Sequence, residues 1–363
     1  MTTIARSPLR LLEALATPHG VDRYLELLNP MFTVRELRGE VTQVRRVAPD
    51  TIALTVRPTR RWRGFSAGQF VQVTVVIDGV RRTRCYSPSN SQLRADGRIE
   101  LTVKAHPGGL VSQWLHANAR PGLVLDLAPA DGTFTLPTTR PDRLLMISGG
   151  SGITPVLSML RTLCDEQDRG GRRGEIVFLH YADDAEHVPH RAELERLAAL
   201  HDNVRLALAY PADESSELTG FFGAAHLEAL APWHRDAQTF VCGPPGLMRA
   251  VREHYAAIGL LDRLHAEEFT PAVASMPGDA TGTVRFAASD TSLDNTGAVL
   301  LEQAEAAGLR PEYGCRMGIC FSCTQTKISG CTRNVRTGET DDDPDTEIQL
   351  CINVAVGDVE LAI

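Results

Sequence analysis

Four cysteines constrain this chain more than any other feature. Cys315, Cys320 and Cys323 have the spacing C-x4-C-x2-C, and 27 residues separate Cys323 from Cys351. Three closely spaced thiolates on one loop and a distant fourth form the ligand arrangement of a [2Fe–2S] cluster. Gly314 and Gly318 let such a loop turn closely enough to aim backbone N–H groups at the sulfurs. Zinc is the rival occupant, since soft thiolates suit it too. Zinc sites, however, usually carry two short C-x2-C pairs, and only one occurs here. Cys331 lies outside the spacing and reads as an incidental thiol in a hairpin. Cys85 and Cys164 read as isolated structural thiols.

A length of 363 residues is too great for one compact domain and comfortable for two or three. The chain is 43 % hydrophobic and 23 % charged, which excludes wholesale disorder. No apolar run reaches the ~18 residues of a membrane span. No basic stretch followed by an apolar core opens the sequence, which predicts no export signal, a cytoplasmic protein and reduced cysteines. The net charge of −8 is concentrated in residues 280–363, which carry 6 Lys+Arg against 13 Asp+Glu. That acidity argues against nucleic acid as a partner of this quarter. Its densest stretch, from Glu339 to Glu347, reads as a solvated loop or as a docking face for a basic acceptor.

The pattern along the chain changes four times. Residues 1–33 read as a helical extension, with Ser7-Pro8 opening one helix and a second over 21–28 ending at Asn29-Pro30. This arm is expected to pack on its own domain. Residues 34–138 hold short alternating segments (40–47, 51–56, 69–77, 98–104 and 123–127), the pattern of a closed or nearly closed antiparallel barrel. Residues 139–272 alternate strands (144–148, 176–181, 204–210, 239–242) with helices (154–163, 191–200, 247–258), which predicts a parallel α/β sheet. Small polar residues over 273–282 suit a linker, and 283–363 form a compact cysteine-bearing module.

Three turns carry phosphate chemistry. Arg84, Tyr86 and Ser87 end a barrel strand with a cation, a ring and a hydroxyl. The strand 98–104 closes on Lys104, and His106 opens the Gly-rich turn Gly108-Gly109-Leu110-Val111-Ser112 ahead of a short helix. Such a turn offers amides and a helix N-terminus to a pyrophosphate. In the α/β region, Gly149-Gly150-Ser151-Gly152-Ile153-Thr154-Pro155 runs from a strand into a helix. Cys242-Gly243-Pro244-Pro245 puts a second turn at the end of another parallel strand, on the edge where ligands bind.

These motifs, R-x-Y-S, G-G-L-V-S, G-G-S-G-I-T-P, C-G-P-P-G-L-M and C-x4-C-x2-C, occur in the order of the ferredoxin–NADP reductase superfamily. From Val34 to Ile363 the chain resembles its iron–sulfur flavoprotein branch, which includes phthalate dioxygenase and phenol hydroxylase reductases. The resemblance implies an FAD-binding β-barrel, an NAD(P)-binding α/β domain and an α+β, β-grasp ferredoxin domain. It implies that Arg84 holds the flavin phosphate, Tyr86 stacks on the isoalloxazine and Ser87 lies near N5. Lys104, His106 and Gly109 to Ser112 (Leu110 and Val111 included) belong to the flavin site. Gly149, Gly150, Gly152, Thr154 and Cys242 to Pro245 frame the nicotinamide, with Glu268 and Phe269 at the flavin edge. Ser87, Thr154, Cys242 and Glu268 are the candidate catalytic residues, able to orient groups or relay protons. Cys315, Cys320, Cys323 and Cys351 hold the metal. Segments around Gly314–Cys320, Arg333–Gly338 and Gln349–Cys351 look most like reductases of bacterial acyl-CoA desaturases, from which Phe321 departs.

The function expected is therefore an NAD(P)H-dependent reductase passing electrons through FAD and [2Fe–2S] to a separate protein. A membrane di-iron desaturase is the first acceptor and a soluble hydroxylase or ring-hydroxylating dioxygenase the second. The first would bring the chain near a membrane only through its partner. A non-enzymatic iron–sulfur carrier or redox sensor is the reading of another class, and the intact flavin and nucleotide turns oppose it. Asp183, after the strand 176–181, suits a ribose 2′-hydroxyl and hence NADH, whereas Arg191 is within reach of a 2′-phosphate.

Overall fold

In the computed structural model, the described residues are 21–213, 218–269, 281–314, 316, 318 and 321–363, and they build three sheets. The predicted helix beginning at Ser7, the linker 273–282 over most of its length, Cys315 and Cys320 lie outside these residues.

The first sheet contains β1 (Arg38–Ala48), β2 (Thr51–Pro58), β3 (Val71–Ile77), β4 (Val80–Tyr86), β5 (Ile99–Lys104) and β6 (Val124–Leu127), in the order β4-β3-β6-β1-β2-β5. All of its ladders are antiparallel. Val71, Val73, Val75 and Ile77 alternate inward along β3, as a half-buried strand requires. The two edges meet through one bridge, Pro88 to Leu101, so the sheet is a nearly closed barrel. β4 was legible only at its end, because Arg81, Arg82 and Arg84 mask its alternation. Helix α1 (Val21–Leu28) is packed on this barrel: the Asp22 carboxylate accepts the N–H groups of Val34, Arg35 and Glu36 at 2.6, 2.9 and 3.0 Å. Helix α2 (Leu110–Asn118) crosses the barrel beyond β5.

The second sheet is parallel throughout, with order β11-β10-β7-β8-β9 for β7 (Arg143–Gly149), β8 (Glu175–Tyr181), β9 (Val204–Ala209), β10 (Gln238–Cys242) and β11 (Leu264–Glu267). The runs Leu144–Ile147 and Ile176–Leu179 are apolar without alternation because helices cover both faces. These helices are α3 (Ile153–Asp168), α4 (Arg191–Leu200), α5 (Ala224–Leu230) and α6 (Pro245–Ala257). α3 runs five residues past its expected end. Residues 153–164 are all buried, since the helix lies between its own sheet and the barrel. The sequence reading missed α5 and β11, which are short.

The third sheet joins β12 (Thr283–Phe286), β13 (Thr291–Asp294), β14 (Thr324–Asn334), β15 (Thr340–Asp341), β16 (Thr346–Gln349) and β17 (Asn353–Leu361), with helix α7 (Leu300–Ala306) packed on it. Cys331 lies within β14, opposite Val356, on a strand that turns back antiparallel into β15. Asp341, from the acidic run, is committed internally: it pairs at 3.0 Å with Lys327, whose side chain is fully buried.

One buried polar knot clamps the barrel to the parallel sheet. Arg161 of α3 donates from Nη1 to Glu100 Oε1 of β5 at 2.7 Å and to the Ser89 carbonyl at 2.6 Å. Its other edge takes Glu193 at 2.8 and 2.5 Å. His190 accepts from Arg161 at Nδ1 and donates from Nε2 to Thr102 Oγ1 at 2.9 Å. Burial opposes ionisation of Glu100, but the Arg161 charge outweighs it and holds the carboxyl at about 2. Removing one partner of a buried pair strands the other. Glu100→Gln is expected to lower the unfolding free energy by about 3 kcal/mol at neutral pH, measured by urea titration. The depressed value makes this contribution full above pH 4.5, and it is lost as the pH falls through 2. The gap between the two proteins should close over that window; a gap independent of pH would assign the loss to packing instead.

Candidate functional site

The clamp leaves a cavity of about 1230 Å3 between the barrel and the carboxyl edge of the parallel sheet. From the barrel it is lined by Arg84, Tyr86, Ser87, Lys104, His106, Gly109, Val111 and Ser112. Gly149, Gly150, Thr154, Asp183, Gly243, Pro244, Pro245 and Phe269 line it from the other side. Residues as far apart in the sequence as Arg84 and Phe269 thus share one cavity with the turns expected to bind a dinucleotide.

On the barrel side, Ser87 is buried and its Oγ has no hydrogen-bond partner among the described residues. A buried hydroxyl without a partner at a cavity wall leaves a place for a ligand's polar atom. Burial raises the Tyr86 phenol, so the ring stays neutral. Lys104 Nζ lies 3.3 Å from Asp50 Oδ2. Burial, then the Lys104 charge, lowers the His106 imidazole and keeps it neutral. The turn before α2 has Gly108 at φ +74°, and no side chain caps the helix that follows. The amides of its first turn are therefore oriented toward an external acceptor. A Cβ on Gly109 would lie 2.5 Å from Ser112 Oγ, which instead donates to the Gly109 carbonyl at 3.0 Å. The Leu110 side chain is exposed and absent from the cavity wall, leaving its amide as its contribution.

On the nucleotide side, the strand order reverses between β7 and β10, and ligands bind at such a switch point. The two turns there are packed against each other. A Cβ on Gly152 would sit 2.2 Å from the Cys242 carbonyl oxygen, and one on Gly149 would sit 2.9 Å from Pro244 Cδ. Gly150, at φ +52°, adopts the left-handed conformation that completes the turn. Thr154 Oγ1 donates to the Ser151 carbonyl at 3.3 Å.

Three candidates stand behind this wall rather than on it. Gly152 is buried under the turn. Cys242 is fully buried, and burial pushes its thiol well above the ordinary range, so it is a neutral S–H. Glu268 pairs with Arg252 at 2.7 Å, and Phe269 beside it reaches the cavity. Arg191 is also outside the cavity wall, donating to Glu195 at 2.8 Å. The sequence reading passed over Glu267, whose enclosed Oε2 has no hydrogen-bond partner among the described residues. Burial pushes its carboxyl up to about 8.

The third sheet reaches the same place. Arg84 donates to the Gly314 carbonyl at 2.8 Å, immediately before Cys315, and Arg316 lines the cavity. Arg316, Arg84 and Arg82 surround the Tyr313 ring with guanidinium carbons 4.0, 5.6 and 5.7 Å from its centroid. Cys323 and Cys351 are both buried at the β14–β16 end, where the Leu350 N–H donates to the Cys323 carbonyl at 3.1 Å. Arg316, Gly318 and Phe321 have φ of 57°, 72° and 57°, the left-handed turns that gather backbone N–H groups on one side. Two buried thiols at the end of such a loop fit a thiolate-bound cluster.

A family model described as an oxidoreductase FAD-binding domain matches residues 38–136, and one described as an oxidoreductase NAD-binding domain matches residues 146–253. An NADPH oxidoreductase of Mycobacterium tuberculosis is 37 % identical over 356 residues, covering 96 % of this chain and 90 % of that protein. The glycine betaine monooxygenase reductase subunit of Pseudomonas aeruginosa is 30 % identical over 320 residues, covering 81 % of this chain and 86 % of its own length. The solved structure of phthalate dioxygenase reductase matches the fold with a TM-score of 0.61 at 23 % identity, covering 91 % of this chain and 98 % of that one. With both domain types in sequence and a relative matched end to end, the chain belongs to the FAD- and NAD-binding oxidoreductases of the ferredoxin reductase type and is an NAD(P)H oxidoreductase.

Proposed function

We propose that this oxidoreductase delivers electrons from NAD(P)H to a separate oxygen-activating protein, with FAD in the cavity and a [2Fe–2S] cluster on Cys315, Cys320, Cys323 and Cys351. The observation that supports it best is the shared wall: Arg84 to Ser87, the turns after β7 and β10, and Arg316 meet at one cavity. In this reading residues 34–138 form the FAD domain, 139–272 the NAD(P) domain and 283–363 a β-grasp ferredoxin domain. Residues 1–33 extend the first, and 273–282 link the last two. Bound here, FAD supplies the conversion of a two-electron hydride into single electrons, which the cluster carries one at a time.

The chain's own residues bind, orient and exclude water. Arg84 and the amides from Gly109 to Ser112 hold the flavin phosphates, with Lys104 and His106 beside them. Tyr86 flanks the ring, and the Ser87 hydroxyl meets its ring nitrogen. Gly149, Gly150, Thr154 and the turn Cys242–Pro245 hold the nicotinamide against the flavin, and Phe269 closes the edge. Glu268, tied to Arg252, and the neutral Cys242 act from behind, as positioning groups.

For the acceptor, the printed name of the Pseudomonas relative supports an oxygenase component. The segments around Gly314–Cys320 and Arg333–Gly338 support a membrane di-iron desaturase. No helix among the described residues is long and apolar enough to cross a membrane, so a desaturase acceptor would bring its own anchor. A cytoplasmic location serves both. Reconstitution with each purified acceptor decides between them.

Three outcomes test the reading. Purified protein should release FAD, with about two iron and two sulfide per chain; FMN on chromatography would refute the pyrophosphate role of Gly109–Ser112. Cys320→Ser should abolish cytochrome c reduction while NAD(P)H:ferricyanide activity and flavin content persist, and Arg84→Ala should lose flavin and every activity. Parallel loss of both activities in Cys320→Ser with normal flavin would refute the sequential path.

NADH is the donor we favour, because Asp183 lines the cavity whereas Arg191 does not. A carboxylate ~4 Å from a 2′-phosphate opposes it by about 1 kcal/mol even in water. Unmodified protein should show the higher kcat/KM with NADH, and Asp183→Arg should move the ratio toward NADPH. A strong NADPH preference before substitution would overturn this assignment and favour the activity named for the Mycobacterium relative.

A further inference from the structure

Helix α1 turns its apolar stripe outward. Tyr24, Leu27 and Leu28 stand at i, i+3 and i+4, the spacing that gathers side chains on one face of a helix. Such a face normally packs on a core. Here Leu27 is 76 % and Leu28 80 % accessible, and Phe32, just beyond the helix, is 54 % accessible. The ties that hold the segment to the barrel are polar instead. The Asp22 carboxylate accepts the amides of Val34, Arg35 and Glu36, and Arg38 donates to the Pro30 carbonyl at 2.9 Å and to Glu26 Oε2 at 2.7 Å. Three apolar side chains are thereby presented to water from a fixed position.

A cationic loop borders this face. Residues 57–63, Arg-Pro-Thr-Arg-Arg-Trp-Arg, carry four arginines and no carboxylate. Arg61 Nη1 donates to the Val34 carbonyl at 3.1 Å and the Thr59 N–H to the Arg38 carbonyl at 2.8 Å, which seats the loop against the segment after α1. Arg57 pairs with Glu40. Arg60, Arg61 and Arg63 are exposed and pair with no carboxylate among the described residues, a local reversal of sign on a chain of net charge −8.

We propose that this face docks on an anionic lipid surface. Leu27, Leu28 and Phe32 enter the boundary between headgroups and acyl chains, while Arg60, Arg61 and Arg63 meet the lipid phosphates. Apolar side chains beside a basic cluster supply both attractions that hold a peripheral protein to such a surface. A nucleic acid or an acidic protein would meet the arginines and leave the leucines in water. The attachment is reversible, because three side chains bury far less apolar surface than a spanning helix. Held in this way, the chain would reach a membrane-embedded acceptor by diffusion in two dimensions. Lipid binding itself requires no acceptor, so it stands or falls apart from the proposed function.

The test is flotation of the full-length, flavin-loaded protein with vesicles of phosphatidylglycerol and phosphatidylcholine in equal parts, against vesicles of phosphatidylcholine alone. At low salt the partition coefficient should be about tenfold higher for the anionic vesicles. Binding should be lost in roughly 1 M salt, where charges are screened within about 3 Å. Leu27→Ser with Leu28→Ser, and separately Arg60→Gln with Arg63→Gln, should each lower the partition coefficient by about tenfold. Flavin content and NAD(P)H:ferricyanide activity should stay unchanged in both, which shows that the fold is intact. An unchanged partition in either double variant overturns the proposal, as does equal binding to neutral and anionic vesicles. If no protein floats and sedimentation shows the leucine variant turning a dimer into a monomer, the face joins two copies of the chain and the lipid assignment falls.

Discussion

The structure depends on Arg161. Its guanidinium is buried between two carboxylates, Glu100 of the barrel strand β5 and Glu193 of helix α4, and a carbonyl from the barrel's Ser89. A cation taken out of water is tolerable only with its donors satisfied, and here the partners come from both halves. The same helix face repeats the device: Ser158 Oγ donates to the Asn90 carbonyl at 2.7 Å, and the Thr162 hydroxyl accepts the Gln92 N–H at 3.1 Å. Positions 158, 161 and 162 share one side of α3 at helical spacing. Because α3 starts beneath the Gly149–Gly152 turn, whatever fixes the helix to the barrel also fixes that turn opposite Ser87. Cavity shape is thus a consequence of electrostatics about two helix turns away.

The third sheet is attached by different physics. Three guanidinium groups around the Tyr313 ring, with Arg316 also paired to Glu305, make a contact that is partly exposed and charge-rich. Attachment of this kind is weaker than a buried knot and sensitive to salt. Arg84 takes part in it while lining the cavity, so the residue proposed for a flavin phosphate also touches the loop that opens on Cys315.

What the sequence revealed follows from how local each signal is. Periodicity located β3, β8 and α4, since burial on one or both faces writes itself into every second or every third residue. It missed β4, where arginines face half-buried surroundings, and α5, which is a mere seven residues long. The glycine turns were legible because close approach leaves no alternative residue. Arg161 and Glu267 were not. The significance of the first comes from partners 29 to 72 residues away and that of the second from enclosure, neither of which leaves a mark on neighbouring positions.

The contact between Gly152 and the Cys242 carbonyl has an evolutionary consequence. The turn after β7 and the end of β10 are locked in close contact where the crevice opens, and any side chain at Gly152 would wedge them apart. That end of the groove cannot drift. The loops beyond β8 and β9, by contrast, present Asp183 and Pro211 to the cavity without such interlocking, so their side chains can change while the locked end stays as it is. A lineage built on this scaffold can therefore retune which nucleotide it accepts, and how tightly, at one end of the groove without disturbing the geometry of electron transfer at the other.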